Sequence, residues 1–415
     1  MLRGRRRSRG GGAVSGPTSS MNLILAQPAG STFTRSTVAT DVVNGVLTDY
    51  AINAIRNANG YLPEGSRTNF IRNGEAQGAV AGTPGTLPTN WTDTNAIGLT
   101  RTVVGSGVIN GFNYLDIRLS GTPSVGTYEL FPEALTGVGS RAASSGQIYT
   151  SSFYIGMIAG SLTGITSVNA RVSGRAAGVE TEGTSQSITP TIDPTRVFAI
   201  RTLNNALTTE VMTELTVVVT AVAIDVTFRI AAIQLELGYG VSSYIRTTTA
   251  TVTRGADLLS MPTSALGGFS ATQGTLVVNG VAPRWFASGI TSQTPACFAT
   301  GGDYIQMTRF AFGSGRLVNR HVDGFAEQGS VAANPALTAN TEFTCAQAWA
   351  LNDLAIAIDG NAVSTSGTMP SLPTVTTLFI GQTDAGFGEH FFGYIRNIDY
   401  YNTRKPNADL VTLSA

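Results

Sequence analysis

Short runs of alternating apolar and polar residues dominate the chain after residue 63. In Tyr114–Leu119 the two leucines and the isoleucine fall on one side, and the polar residues fall on the other. Strict alternation is typical of a strand with one buried face, because successive side chains of a strand point to opposite sides of a sheet. This run therefore predicts a half-buried β-strand.

Similar runs predict many more strands, separated by Gly-rich and Asn-Gly turn signals. In Leu354–Ile358 one face is large and apolar and the other is all alanine, as expected for a strand between two layers. The other predicted strands are Ile148–Ile155, Val197–Ile200, Val217–Val222, Val226–Ile233, Thr275–Val278, Arg284–Ser288, Tyr304–Phe310, Phe343–Ala350, Leu378–Ile380 and Tyr394–Tyr401. Such a series favours β-sandwiches or jelly rolls.

The pattern divides into three parts. Residues 63–262 and 263–415 are each long enough to enclose a core, whereas residues 1–62 are not. We predict an all-β protein with two antiparallel β-sandwich (jelly-roll) domains in tandem, preceded by a short, partly irregular N-terminal attachment region. The segment Tyr50–Asn59 has some helical character. We expect the chain from residue 63 onward to fold without the first 62 residues.

Composition supports this class. Only 13% of the 415 residues are charged and 48 are glycine, a mixture that suits short strands and tight turns better than long helices. The basic residues are unevenly placed, and five of them form an N-terminal tail: Arg3, Arg5, Arg6, Arg7 and Arg9. Such a tail could bind nucleic acid, dock into an acidic groove of a partner protein, or be a dispensable leader. We favour particle attachment by docking and do not expect nucleic acid to be a partner.

No export or membrane signal is visible. Leu23–Ala26 is too short for the apolar core of a signal peptide. The most apolar stretch, Leu215–Leu237, contains Asp225 and Arg229 and resembles two buried strands more than a membrane helix. We therefore expect synthesis in a cytoplasm and no membrane insertion. Cys297 and Cys345 lie in apolar runs and are predicted to be buried, reduced thiols.

Catalytic motifs are scarce. Retaining glycosidases need two carboxylates about 5 Å apart, and Glu180 and Glu182 fall in a segment predicted to be a loop. His321 and His390 are the only histidines, and both are predicted in loops without a nucleophile elbow nearby. The sequence thus predicts that the protein is not an enzyme and has no cofactor. A structural Ca²⁺ stays open, with Asp116, Asp257, Asp359 and Asp384 as loose candidates.

Sugar recognition would need exposed aromatic faces beside polar side chains. Four residues lie at or near predicted loops and are the candidate carbohydrate-binding residues: Trp91, Trp285, Phe387 and His390. Each could equally be a core residue, because tryptophan is more often buried than exposed. Trp349 lies inside a strand and is predicted to be core.

The C-terminal part resembles the concanavalin A-like (laminin-G-like) lectin sandwich found in many phage structural proteins. The resemblance lies in the Asp-Gly turn that ends Ala348–Gly360, in Leu378–Gln382, and in Phe392–Tyr401 with its Gly-x-Ile-x-x-Ile-x-Tyr pattern. Asn407–Leu410 is similar to the short helix that follows in that family.

The middle part resembles the carbohydrate-binding-module-like jelly rolls of phage fibres. The resemblance lies in Pro63–Asn69 and Leu87–Trp91 near its start, and in Gln234–Gly238, Ser243–Thr247 and Thr253–Asp257 at its close. The order of modules implies a phage fibre, spike or decoration subunit that displays sugar-binding β-sandwiches for host attachment. A ligand-free decoration protein that uses the folds as spacers is the alternative, and a polysaccharide depolymerase is a third possibility.

The same resemblance implies partners and a location. Other virion proteins are expected to bind the N-terminal region, and a host surface polysaccharide is expected to bind the sandwiches. Fibres of this type imply a homo-oligomer, with a trimer as the expected state. The expected location is the virion surface.

Overall fold

The computed structural model describes residues 19–21, 28–133, 141–282, 293–306, 315–384 and 390–415. The chain divides into two compact units. The middle unit comprises Thr34–Ala58 and Glu64–Asp257. The C-terminal unit comprises the described residues up to Phe33, together with Asn59–Pro63 and Leu258–Ala415. Both units are built from antiparallel sheets, which confirms the predicted all-β class.

The middle unit is a sandwich of two main sheets. Its strands are β3 (Ala39–Val43), β4 (Val46–Tyr50), β5 (Arg67–Asn69), β6 (Thr92–Thr94), β7 (Thr100–Ile109), β8 (Phe112–Gly121), β9 (Gly126–Phe131), β10 (Arg141–Ala142), β11 (Ile148–Gly160), β12 (Ile165–Ala176), β13 (Val179–Ile188), β14 (Thr195–Thr202), β15 (Glu210–Val219), β16 (Ile224–Leu237) and β17 (Val252–Arg254). One sheet has the order β14-β11-β16-β8-β7, and the other has the order β13-β12-β15-β9-β6 with β10 beside β15.

The core of the middle unit lies between these two sheets. Leu115, Ile117 and Leu119 of β8 lie in one buried apolar cluster with Phe228 of the neighbouring strand β16 and Val217 of the opposite sheet. The alternation seen in the sequence therefore buries the face that was predicted. Two small sheets, β3-β4 and β5-β17, complete the unit.

The C-terminal unit is also a sandwich. Its strands are β1 (Ser19–Met21), β2 (Thr32–Thr34), β18 (Leu258–Pro262), β19 (Gln273–Val281), β20 (Ala296–Thr300), β21 (Asp303–Gln306), β22 (Val318–Asp323), β23 (Ala326–Ala332), β24 (Glu342–Ala350), β25 (Asp353–Ile358), β26 (Ser364–Ser366), β27 (Thr377–Ile380) and β28 (Tyr394–Tyr401). The sheet orders are β1-β28-β19-β24-β25-β26 and β2-β18-β27-β20-β21-β22-β23.

Aromatic side chains fill the C-terminal core. The ring of Phe298 on β20 lies 6.0 Å from that of Trp349 on β24 and 6.1 Å from that of Tyr400 on β28, so the two sheets pack face to face. Trp349 is fully buried, as predicted. Its indole fits because β19 has glycine at position 274, where a Cβ would lie 2.3 Å from the ring.

A helix covers the outer side of the six-stranded sheet. The helix α1 (Asn407–Leu413) places Leu410 against Ala355 and Ala357 of β25. The alanine face predicted to lie between two layers is thereby confirmed. Small side chains are needed there because the helix backbone approaches the sheet closely.

The N-terminal region differs from the predicted separate segment. Within the C-terminal unit, strand β1 pairs with β28 and strand β2 pairs with β18. The β3-β4 hairpin, in contrast, belongs to the middle unit. Tyr50–Asn59 is not helical: Asn53 has a φ of 56°, and the carbonyl groups of Ala51 and Ala54 accept hydrogen bonds from Arg35. The Arg35 guanidinium thus donates to two backbone carbonyls that, in a helix, would accept hydrogen bonds from backbone amides.

Predicted Val217–Val222 coincides only with the last three residues of β15, and predicted Ile148–Ile155 ends five residues before β11 does. The other predicted strands overlap observed strands wherever they fall within the described residues. Arg284–Ser288 lies outside them, as does the second half of Tyr304–Phe310. Cys297 and Cys345 are both buried, as predicted, and their reduced state stays a prediction. Among the described residues, no helix has both the length and the apolar character needed to cross a membrane.

Candidate functional site

The outward face of the five-stranded sheet carries a row of polar side chains. On β8 the residues between the core positions are Tyr114, Asp116 and Arg118, and they point away from the sandwich because strand side chains alternate. On the neighbouring β16, Arg229 stands opposite Asp116 and Thr227 stands opposite Arg118. Antiparallel pairing of two alternating strands therefore concentrates charge on one surface.

Two arginine–aspartate pairs are formed on this face. Arg118 donates from Nε and Nη2 to both carboxylate oxygens of Asp225, at 2.7 Å each. Arg229 donates from Nε at 2.9 Å and from Nη2 at 2.8 Å to the two oxygens of Asp116. Forked pairs of this kind have a fixed geometry as well as charge complementarity. The hydrogen bond from Arg118 lowers the pKa of Asp225, so its carboxylate stays ionised at neutral pH.

The two pairs differ in burial. The side chains of Arg229 and Asp116 are 18% and 9% exposed, whereas those of Arg118 and Asp225 are 45% and 58% exposed. The guanidinium carbon of Arg229 also lies 3.8 Å from the centre of the Tyr114 ring. The inner pair is therefore held rigidly, and the outer pair is open to a ligand.

An open groove of about 610 Å³ runs beside the outer pair. It is lined by Ala81, Gly82, Thr102, Val103, Val104, Arg118, Ala159, Gly160, Asp225 and Thr227. Only glycine fits at one lining position: Gly160 has a φ of +81°, and a Cβ there would lie 2.0 Å from the Asp225 carbonyl oxygen. The groove supplies both hydrogen-bond donors and acceptors, from Arg118, Asp225 and the two threonines.

The other half of the same sheet face is covered. Leu47 of the β3-β4 hairpin packs with Phe112, Ala231 and Tyr244. The rings of Phe112 and Tyr154 lie 4.6 Å apart within this cluster. The hairpin therefore limits the exposed polar surface to the end of the sheet where the groove lies.

Of the four aromatic and histidine candidates from the sequence, Trp91 and His390 lie in the described residues, and both are buried. Trp91 is only 7% exposed, lies in the core of the middle unit, and donates its indole N–H to the Asn73 carbonyl at 3.0 Å. His390 is 4% exposed and lies in the C-terminal unit. Neither presents an open face for a sugar ring. Trp285, Phe387 and the five tail arginines lie outside the described residues, so their proposed roles stay predictions.

The acidic residues considered for catalysis are engaged by neighbours. Glu180 and Glu182 lie in strand β13 instead of the predicted loop. Burial raises the pKa of Glu182, but hydrogen bonds from Asn204, Arg201, Thr208 and Asn205 outweigh it and lower the pKa to about 2. The carboxylate of Glu180 pairs with Arg171.

His321 also departs from its predicted loop, since it is buried in strand β22. The four aspartates considered for calcium do not form a cluster: Asp116 pairs with Arg229 and Asp257 pairs with Arg35, for example. In the part of the chain that the structure describes, no group of three or more His, Cys, Asp or Glu residues is placed to hold a metal ion.

The groove residues were not predicted as sugar-binding residues, because that prediction was based on aromatic residues in loops. A signal for the groove was nevertheless present in Tyr114–Leu119, where the polar positions of the alternating pattern are Tyr114, Asp116 and Arg118. That pattern puts all three on the solvent side of one strand. It does not identify Asp225, whose position beside Arg118 depends on strand pairing.

Comparison with known proteins identifies solved structures that are similar to this chain at low TM-scores. No protein-family model matches the chain, and no curated protein sequence matches it. A mutant Trypanosoma rangeli sialidase with trans-sialidase activity matches at 13% identity and a TM-score of 0.28, over 37% of this chain and 25% of that one. This chain thus spans about a quarter of that sialidase.

Two further structures match over longer stretches. Domains LG4-5 of the mouse laminin alpha1 chain match at 11% identity and a TM-score of 0.26, over 63% of this chain and 82% of that one. The CBM22 tandem domain of Paenibacillus barcinonensis Xyn10C matches at 9% identity and a TM-score of 0.26, over 80% and 99%. At such scores these likenesses assign no ligand or activity to this chain.

The prediction that the protein is not an enzyme is corrected by these comparisons. Enzymes stand among the similar structures: the sialidase, and the enzymatically active domain of bacteriophage CBA120 tailspike protein 4 at a TM-score of 0.24. The prediction depended on missing motifs, and catalytic groups can be assembled from residues far apart in sequence. Missing motifs therefore do not exclude catalysis.

Proposed function

We propose that this protein binds glycan chains in the groove of the middle unit and serves as a host-attachment component of a bacteriophage-type particle. The observation that supports glycan binding is the Arg118–Asp225 pair at the edge of an open polar groove. Sugar hydroxyls both donate and accept hydrogen bonds, and a forked ion pair offers donors and acceptors side by side.

The particle role is proposed from the resemblance of both halves of the chain to phage fibre modules. Under this proposal the subunit lies on the virion surface, and its tail (Arg3, Arg5, Arg6, Arg7 and Arg9) contacts another virion protein. Assembly as a homotrimer would raise the avidity of weak individual sugar sites. Light scattering of the full-length protein tests that state, and a monomer would contradict it.

A binding experiment on the full-length protein tests the glycan proposal. Wild type is titrated with purified host envelope polysaccharide, and Arg118→Ala is compared with Arg320→Ala. Arg320 pairs with exposed Glu327 in the C-terminal unit and is a matched control. Loss of hydrogen bonds to a charged group costs about 1.5–3 kcal/mol, so Arg118→Ala should lower affinity about tenfold or more. The control should bind like wild type.

Two outcomes would contradict the proposal. If wild type binds no envelope polysaccharide, glycan recognition is wrong. If both arginine variants bind like wild type, the glycan lies elsewhere. Reducing-end release is measured in the same samples, because turnover would show an enzyme acting on the glycan. The particle role is tested by searching for the protein in purified virions by mass spectrometry, and its absence there would contradict that role.

A further inference from the structure

We infer that the groove of the middle unit selects neutral glycan chains over acidic ones. This inference rests on the proposed glycan-binding function and adds the chemical class of the ligand. Its basis is the charge state of the groove wall and of the sheet face beside it, where Arg118 and Arg229 each already have an aspartate partner.

The charges on this face cancel within each pair. An acidic sugar would bring a carboxylate to a guanidinium whose Nε and Nη2 are already donated to an aspartate. It would therefore have to displace Asp225 from Arg118, or bind beside it and be repelled. Like charges held a few ångströms apart are unfavourable even at a protein surface.

The remaining hydrogen-bonding capacity suits uncharged hydroxyls. Among the described residues, Nη1 of Arg118 and Nη1 of Arg229 make no hydrogen bond, so each arginine keeps donors for a neutral acceptor. The oxygens of Asp225 keep lone pairs that can accept from a sugar O–H. Neighbouring hydroxyls of one sugar could then accept from the arginine and donate to the aspartate.

The inner pair prevents an easy rearrangement towards acidic ligands. Arg229 is stacked on Tyr114 and its Asp116 partner is nearly buried, so neither side chain can turn outward without leaving a charge uncompensated. Only the exposed outer pair can respond to a ligand. Neutralising Asp225 should therefore be enough to change which class of glycan is preferred.

The test measures binding of full-length protein to two sets of polymers at physiological ionic strength. The neutral set is dextran, amylose and galactomannan, and the acidic set is polygalacturonate and polysialic acid. Wild type should bind its best neutral polymer at least about tenfold more tightly than either acidic one, a difference of about 1.4 kcal/mol. Asp225→Asn should weaken neutral binding and strengthen acidic binding, because Arg118 is then unpaired. Glu327→Gln, which breaks a comparable exposed pair in the C-terminal unit, is the matched control and should keep the wild-type preference.

Each outcome is decisive. Equal or tighter binding of acidic polymers by wild type overturns the inference and leaves glycan binding intact. An Asp225→Asn variant with unchanged preference also overturns it, since selectivity would then come from other residues. If wild type binds neither set and no host polysaccharide, the proposed function itself fails.

Discussion

Arg56 and Asp257 form a fully buried ion pair in the middle unit, although 201 residues separate them in sequence. Arg35 donates to the other oxygen of Asp257 at 2.8 Å, and Arg254 lies 3.2 Å from the same carboxylate. Arg56 also donates to Glu64 at 2.6 Å. We call Arg35, Arg56, Glu64, Arg254 and Asp257 the buried ion cluster.

The cluster joins the two chain segments of the middle unit. Arg35 and Arg56 lie near the two ends of Thr34–Ala58, whereas Glu64 and Asp257 are the first and last residues of Glu64–Asp257. Buried charges are costly unless they are paired and fully hydrogen-bonded. The cluster therefore makes the short segment an obligatory part of the unit.

Removing one member of the cluster should destabilise the middle unit strongly. We expect Arg56→Met to lower its free energy of unfolding by about 3–5 kcal/mol, because Asp257 and Glu64 would lose a buried partner. Arg118→Met breaks an exposed pair and should have a much smaller effect, because solvent screens exposed charges. Urea unfolding of the full chain measures both, and equal effects would contradict this prediction.

The same cluster changes the expected result of an N-terminal truncation. A fragment of residues 63–415 lacks Arg35, Arg56 and the β3-β4 hairpin, so its middle unit should not fold. A fragment of residues 34–415 retains all three and is the matched control. Scanning calorimetry should show the middle-unit transition only in the longer fragment. If both fragments show the same middle-unit transition, this prediction is wrong and residues 1–62 are dispensable for folding.

His321 should make stability depend on pH. Burial lowers its folded-state pKa from 6.5 to about 3, so the unfolded chain binds a proton that the folded chain does not between these values. The free energy of unfolding should therefore fall as pH drops below about 6.5, with a slope approaching 1.4 kcal/mol per pH unit.

The variant His321→Gln tests this slope. Glutamine can still donate to Asn319 Oδ1, which accepts from His321 Nε2 at 2.9 Å. Urea unfolding between about pH 5 and pH 7 avoids most carboxylate titration. The wild type should lose more stability over this range than the variant, and parallel curves would rule out His321 as the cause.

The two thiols should be unreactive in the folded protein. Both cysteines are buried, and desolvation, aided by Asp359, raises the pKa of the Cys345 thiol. Thiolates are the reactive form, so alkylation of native protein should give no adduct on intact-mass analysis. Alkylation in denaturant without prior reductant should give two. A missing adduct in denaturant would indicate an oxidised cysteine.

The sequence alone determined that the chain is all-β and which face of particular strands is buried. Alternation in Tyr114–Leu119 identified a core face, and the alanines of Leu354–Ile358 identified a strand covered on both sides. These are local properties, because side-chain direction along a strand depends only on position.

Only the tertiary structure decided which polar residues meet. Arg118 and Asp225 are 107 residues apart, and their contact depends on the register of β8 against β16. The membership of Thr34–Ala58 in the middle unit likewise depends on Arg35 and Arg56 reaching a carboxylate near the far end of that unit. A local pattern shows which way a side chain points. The neighbours of that side chain depend on how distant segments pair, and the pairing is the one that gives the whole fold its lowest free energy.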